Sequence, residues 1–154
     1  KFLPIFDAMK APAFPWRMSK ILDDSEDNYL TNIQFAHMFY DHYSPEDETI
    51  NLLFPILEAI DPISILKIKA NVLTKTDTIH EHGLHNDIEN RLECPFIKTA
   101  ILYMNTCNGY TKFSNGEQVD SVQNRFVVFP NSMEHTGSTT TNSPFRMVIN
   151  INYI

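Results

Sequence analysis

The spacing of hydrophobic positions changes near residue 64 from a helical period to that of strands. Upstream, Ser44-Pro45-Glu46-Asp47-Glu48 offers a capping serine, a proline at the first helical position and acids in the first turn. Ile50, Leu53, Phe54, Ile56, Leu57 and Ile60 then recur near helical spacing, which predicts a helix to Ile60, stopped by Asp61-Pro62. Residues 1–43 have no clear period. With Pro4, Pro12 and Pro15 among Phe2, Phe6, Phe14 and Trp16, they read as an extended or irregular arm that packs aromatics onto a neighbouring surface.

From Ile65 every apolar run is short and bounded by turn residues. Strands are predicted near 65–73, 79–82, 97–104, 110–113, 117–121, 125–129, 134–139 and 145–153, with Asn115-Gly116 as a type I′ hairpin turn. About eight strands suit a mainly β, two-sheet jelly roll. In the last strand, period-2 alternation puts Arg146, Val148, Asn150 and Asn152 on one face. Phe145, Met147, Ile149, Ile151 and Tyr153 take the other. In the first strand the register stays open, because Leu66, Ile68 and Ala70 compete with Asn71 for the interior. A chain of 154 residues, 43% apolar, fits a single domain over 1–154, with arm and helix in 1–63 and the β core in 64–154.

Composition narrows the function classes. Twelve basic residues against nineteen acidic ones, a net charge of −7, argue against a surface built to neutralise nucleic-acid phosphates, while leaving room for a small basic pocket. Two cysteines, Cys94 and Cys107, make no disulfide framework and read as free thiols of a reducing cytosol. No apolar run reaches membrane-spanning length, so a soluble, cytoplasmic protein is expected. The first residue is Lys1, so any leader upstream of it is invisible.

The densest chemistry lies in His80-Glu-His-Gly-Leu-His-Asn-Asp87. His85 and Asp87 stand two apart, so a strand aims both at one face. Two imidazoles and one carboxylate with open positions opposite are what a non-haem Fe(II) centre requires. A lone His-x-Asp fits a solvated loop equally well. The distant partner is His135, the sole histidine downstream of that segment, reached after the apolar run Phe126-Val-Val-Phe-Pro130; a surface histidine is its plainer reading. Arg146, eleven residues on, carries a planar fork suited to a carboxylate, and the Tyr103 hydroxyl is placed to share it. A polar outer face and a half-buried core tyrosine are the plainer readings of those two.

The ordered set His85-x-Asp87, Thr99-Ala-Ile-Leu-Tyr103-Met-Asn105, Gly109-x-Thr-x-Phe113, Asn124-Arg-Phe-Val-Val-Phe-Pro130, His135 and Arg146 resembles the Fe(II)- and 2-oxoglutarate-dependent dioxygenases. The likeness is to the small prolyl-4-hydroxylase-like members, including free-standing ones carried by phages, and covers residues 64–153. It implies a double-stranded β-helix with N-terminal helical support, and iron held by His85, Asp87 and His135. It further implies 2-oxoglutarate anchored by Arg146 and Tyr103, and consumption of O2 with release of succinate and CO2. A C–H bond of a prolyl, other peptidyl or small-molecule substrate is hydroxylated, in the host cytoplasm if the gene is phage-borne. The chain departs from the family where Gly-Gly-x-Thr-x-Phe appears as Asn108-Gly109-Tyr-Thr-Lys-Phe113, and in a slightly longer gap from His135 to Arg146.

Two rivals compete with this reading. His80-Glu81-His82 resembles the His-x-His of cupins, with Asp87 and His135 completing a metal site, but leaves Arg146 and Tyr103 without a role. A metal-free jelly-roll binding module needs no separated ligands at all. Arg91 is a candidate substrate contact, with Glu89 or Glu93 as the surface ion-pair alternative.

Overall fold

The computed structural model describes residues 2–21, 33–88 and 94–154; Arg91 and its two acidic neighbours lie outside them. Among the described residues the chain is mainly β, with ten strands in antiparallel sheets and two short helices. In chain order these are α1 (Phe2–Lys10), β1 (Arg17–Lys20), β2 (Ile33–Asp41), β3 (Ser44–Pro45), a 3-10 turn (Glu48–Leu53), α2 (Phe54–Ile60) and β4 (Ile65–Thr74). β5 (Lys98–Tyr103), β6 (Tyr110–Phe113), β7 (Gln118–Asp120), β8 (Phe126–Pro130), β9 (His135–Gly137) and β10 (Phe145–Tyr153) follow. The major sheet runs β1-β2-β4-β10-β5-β8, with β3 on β2, and the minor sheet runs β7-β6-β9.

β10 sits in the middle of the major sheet because both its faces are usable. Met147, Ile149, Ile151 and Tyr153 join Ile68 and Ala70 of β4 and Ala100 and Leu102 of β5 in one core cluster. This cluster is closed by Ile5 and Met9 of α1, Phe39 of β2, and Ile50 and Leu53 of the 3-10 turn. The opposite face looks toward the minor sheet, where Val148, Ile101, Tyr103, Phe113 and Phe129 form a second, smaller cluster. Phe2, Phe6, Phe14 and Trp16 pack against the first cluster, the aromatic packing expected of the arm.

The N-terminal arm is more regular than its sequence suggests. It forms α1, and β2 joins the major sheet in register with β4, His37 opposite Ala70 and Phe35 opposite Val72. The period-2 core face of β2 is Phe35, His37 and Phe39, and the histidine in its middle hides the pattern. Ser44 and Pro45 pair with β2 instead of opening a helix. Asp47 is the cap, its carboxylate accepting from the Thr49 amide at 2.8 Å. The helical stretch does end at Ile60, with Asp61 in the left-handed conformation.

Two predictions in the β half need correction. No strand forms over 79–82; only Glu81 makes a bridge, to Ser138, flanked by the His82 amide donating to the Gly137 carbonyl at 3.2 Å and the Thr139 amide donating to the His80 carbonyl at 2.9 Å. The 113–117 hairpin is not type I′: Gly116 has φ +89, its amide donates to the Phe113 carbonyl at 2.9 Å, and Asn115 keeps a negative φ. That is a type I turn on Ser114-Asn115 followed by a glycine bulge, a three-residue loop.

Candidate metal and anion site

Between the two sheets lies a cavity of about 530 Å³, lined by His82, His85, Asp87, Thr111, His135, Arg146, Asn150 and Asn152 among others. β4 faces it with Lys67, Lys69, Asn71 and Leu73, which settles that strand's register: Ile68 and Ala70 belong to the core behind. β10 contributes its whole polar face, as its alternation predicts.

At one station three side chains converge. His85 and His135 form a reciprocal backbone pair, each amide donating to the other's carbonyl at 3.0 Å, which sets their rings 4.9 Å apart. One ligand atom from each of His85, Asp87 and His135 lies within 4.8 Å of the others, and they are the one such group found among the described residues. Asp87 Oδ1 stands 3.7 Å from His85 Nε2 and 3.8 Å from His135 Nε2, too far for hydrogen bonds. Two donors on one ion, each bonded at about 2.1 Å, stand at most about 4.2 Å apart, so these spacings are compatible with a shared cation.

The donor set points the same way. His85 Nδ1 lies 3.0 Å from the Gly83 carbonyl, which only accepts, so Nδ1 carries a proton and Nε2 is the nitrogen turned toward Asp87. Burial pushes the Asp87 carboxyl up, but the His85 and His135 imidazoles beside it outweigh that and hold it at about 2, so it is ionised at neutral pH. Burial pulls His135 down more than Asp87 pulls it up, so its ring is neutral and able to ligate.

Asp87 is positioned from behind. Its Oδ2 accepts from Asn150 Nδ2 and Asn152 Nδ2, both at 3.3 Å, and Asn152 also donates to Thr99 Oγ1 at 3.0 Å. The loop through Asn86 and Ile88 is clamped by buried Asn131. Its side chain accepts from the Ile88 amide at 3.2 Å and from Thr99 Oγ1 at 3.3 Å, and donates to the Ile88 carbonyl at 3.0 Å. Asn131 follows Pro130 directly, which is why the Val-Val-Phe-Pro strand matters beyond delivering His135.

At the other station Arg146 is 4% exposed, and no carboxylate pairs with it among the described residues. Its Nε donates to Ser121 Oγ at 2.7 Å and its Nη2 to Thr111 Oγ1 at 3.0 Å, while Tyr103 lies beneath it, ring centroid 5.6 Å from Cζ. A buried guanidinium held by two neutral hydroxyls is expensive unless an anion completes it. Glycines make room for it: a Cβ at Gly109 would stand 2.6 Å from Arg146 Cδ, and one at Gly137 3.1 Å from Nη1. The surviving glycine of the Gly109-x-Thr-x-Phe113 motif is thus the one that packs on the arginine. Tyr103 itself does not line the cavity; its hydroxyl donates to Thr111 Oγ1 at 2.8 Å, and burial pushes the phenol up. Thr111 and Ser121 were not anticipated, although Thr111 is the threonine of that same motif.

His80 and His82 lie apart from the convergent three. Their rings are edge-to-face at 5.0 Å, and Glu81 turns away to accept from Tyr110 Oη at 2.5 Å and Lys112 Nζ at 3.0 Å. Burial and the adjacent carboxylate push Tyr110 up to about 12.

No protein-family model and no curated protein matches this chain. Solved structures do. A 2OG-Fe(II) oxygenase-family oxidoreductase from Burkholderia pseudomallei aligns over 98% of this chain and 78% of its own, at 11% identity and a TM-score of 0.66. The chain shares the jelly-roll fold of that oxygenase. A Pseudomonas putida prolyl-4-hydroxylase aligns over 88% of this chain and 76% of its own, at 11% identity and a TM-score of 0.57. A Trichoplax adhaerens prolyl hydroxylase, solved with a hypoxia-inducible-factor peptide, aligns over 79% and 62%, at 14% identity and a TM-score of 0.55. Cupins are neighbours too, at TM-scores below 0.5. No helix among the described residues is long and apolar enough to cross a membrane.

Proposed function

We propose that this chain is a 2-oxoglutarate- and Fe(II)-dependent dioxygenase that hydroxylates a C–H bond of a peptidyl, amino-acid or other small-molecule substrate. One observation carries the reading: a single cavity holds both a convergent His85, Asp87 and His135 and a buried Arg146 that no carboxylate among the described residues pairs with. His85, Asp87 and His135 would hold the iron, and the open side of the cavity would admit the cosubstrate. Bound iron supplies the activation of O2 that the amino-acid side chains have no means to perform.

The rest is the work of the chain's own residues. Arg146 takes the far carboxylate of 2-oxoglutarate, with Thr111 at its side and Tyr103 positioning both through its ring and hydroxyl. Asn150, Asn152 and Asn131 orient Asp87, so that its second oxygen is spent on amides and its first is left for the metal. Ile101 and Val148 at the cavity wall keep the site apolar on one side and shield it from bulk water.

The test is direct. Protein supplied with Fe(II), 2-oxoglutarate and O2 releases succinate, and His135→Ala abolishes the release. Metal binding through His80 and His82 with no dependence on 2-oxoglutarate would replace this reading with the cupin one.

A further inference from the structure

The major sheet ends in two unlike edges. β1 is short and carries Arg17 and Lys20 at its ends, the abbreviated, charged form by which edge strands avoid pairing. β8 has no such protection: Phe126-Val-Val-Phe-Pro130 is apolar throughout, and among the described residues no strand pairs with its far side. The ladder with β5 fixes which backbone groups are open. The Tyr103 amide donates to the Arg125 carbonyl and the Asn131 amide to the Ile97 carbonyl, both at 3.0 Å. Hydrogen-bonded pairs recur at every second residue between those two, so Val127 and Phe129 pair their amides and carbonyls with Ile101 and Thr99. The amides and carbonyls of Phe126 and Val128 therefore point outward from the sheet.

The side chains at this edge are open as well. Phe126, Val128 and Pro130 stand opposite Leu102, Ala100 and Lys98, on the face that α1 and the 3-10 turn cover further along the sheet. That cover stops short of β8, leaving Phe126 39% and Val128 44% exposed. Phe96 and Ile63, 70% and 90% exposed, line an open groove of about 610 Å³ together with Val128 and Pro130. At roughly 200 Å² for a whole aromatic side chain and somewhat less for an aliphatic one, Phe126, Val128, Phe96 and Ile63 leave on the order of 400 Å² of apolar surface open. That is about half of the roughly 800 Å² per partner in a standard interface, before edge backbone and rim are counted.

We infer that the β8 edge pairs with the β8 edge of a second copy of this chain, about a two-fold axis at Val127, so that two major sheets join into one. The register is self-complementary. Phe126 faces the partner's Val128 and Val128 faces the partner's Phe126, so each outward amide meets an outward carbonyl. The same pairing sets the apolar side chains of both edges against one another on one face of the joined sheet. A lone extended peptide would satisfy the same backbone groups but brings no apolar surface for Phe96 and Ile63, whereas a second copy brings a matching patch to the same side. The pairing is independent of the chemistry in the cavity.

The test is sedimentation velocity of the full chain over a concentration series, where the wild-type protein sediments as a dimer. Val128→Lys places a charge at the joint, and Val128→Pro deletes an outward amide while sparing every bond to β5. Each stays folded by circular dichroism and raises the concentration at which the dimer forms by more than about tenfold. Met18→Lys, on the exposed opposite edge β1, leaves the dimer unchanged. The register is read by a gain of signal that a misfolded variant does not give. Val127→Cys falls at a non-hydrogen-bonded pair on the axis, with roughly 4.5 Å between Cα atoms, a separation that a disulfide spans. Mild oxidation links its two copies beyond the level of the wild-type protein, whose free cysteines are Cys94 and Cys107. A monomer at every concentration overturns the inference. So does a dimer that both folded Val128 variants leave intact, one that Met18→Lys disrupts in their place, or one in which Val127→Cys stays unlinked.

Discussion

Gly109→Ala is a one-carbon test of how the buried arginine is seated. The added Cβ would lie 2.6 Å from Arg146 Cδ and 2.7 Å from the Thr139 carbonyl oxygen, where ordinary contact begins at 3.4 Å. Gly109 does not have a positive φ, so alanine suits the backbone and the penalty is purely one of space. The Thr139 carbonyl belongs to the backbone and has little freedom, so the arginine side chain must give. Overpacking of this kind costs about 1–3 kcal/mol. At roughly 2–4 °C per kcal/mol for a chain of this size, melting falls by about 2–12 °C. A displaced guanidinium also loses its carboxylate contact, a charge-assisted bond worth about 1.5–3 kcal/mol, so 2-oxoglutarate affinity falls by about 10- to 150-fold. Thermal unfolding with and without 2-oxoglutarate measures both. A double-mutant cycle with Arg146→Ala isolates the cause: the two substitutions must be strongly non-additive on affinity, because the second removes what the first disturbs. Wild-type melting and wild-type affinity in Gly109→Ala would refute the packing, and additive effects would refute the link to Arg146.

The remaining predictions concern the supports of the site. Asn131→Ala strips buried bonds from Ile88 and Thr99 and is expected to cost about 2–4 kcal/mol by denaturant unfolding, and to weaken metal binding because the Asp87 loop loosens. Saturating Mn(II), at about 100 times its Kd, stabilises the wild-type protein by about 2.7 kcal/mol; a chelator removes that gain, and Asp87→Asn never shows it in the same melts. His37 is buried edge-on between Phe14 and Phe39, and burial lowers its pKa below 6.5 by more than the Pro15 carbonyl and Asp47 raise it. The unfolded chain then binds the extra proton first, so the stability owed to a neutral His37 is fully present above about pH 6.5 and is lost as pH falls from there toward the folded pKa. Melting temperature followed from about pH 7.5 to 5 should therefore fall more steeply in the wild-type protein than in His37→Gln.

How much of this was legible depends on which signal each residue carries. β10 could be read completely, because a central strand with one apolar and one polar face obeys its period along its whole length. The resemblance marked out His85, Asp87, His135 and Arg146, and the folded chain brings all four to one cavity. β2 was missed for the opposite reason: a core histidine, satisfied by Thr49 at 2.7 Å and by the Pro15 carbonyl at 3.3 Å, breaks an otherwise regular apolar face. The 79–82 strand was over-read because polar alternation mimics a ladder. In fact that segment makes a single bridge, Glu81 to Ser138, and Thr139 Oγ1 accepts from the His80 amide at 2.9 Å. Thr111 and Ser121 were invisible as arginine partners, since a hydroxyl declares its partner only when distant strands meet. The face of β4 that lines the cavity became readable once the register of the strand was settled by its pairing with β10.

The decisive measurement is the anomalous scattering of a crystal soaked in Mn(II) with 2-oxoglutarate. A single strong peak within bonding distance of His85 Nε2, Asp87 Oδ1 and His135 Nε2, with 2-oxoglutarate density running from it to Arg146, is the predicted result. A peak held instead by His80 and His82, or density that ends short of Arg146, would contradict it.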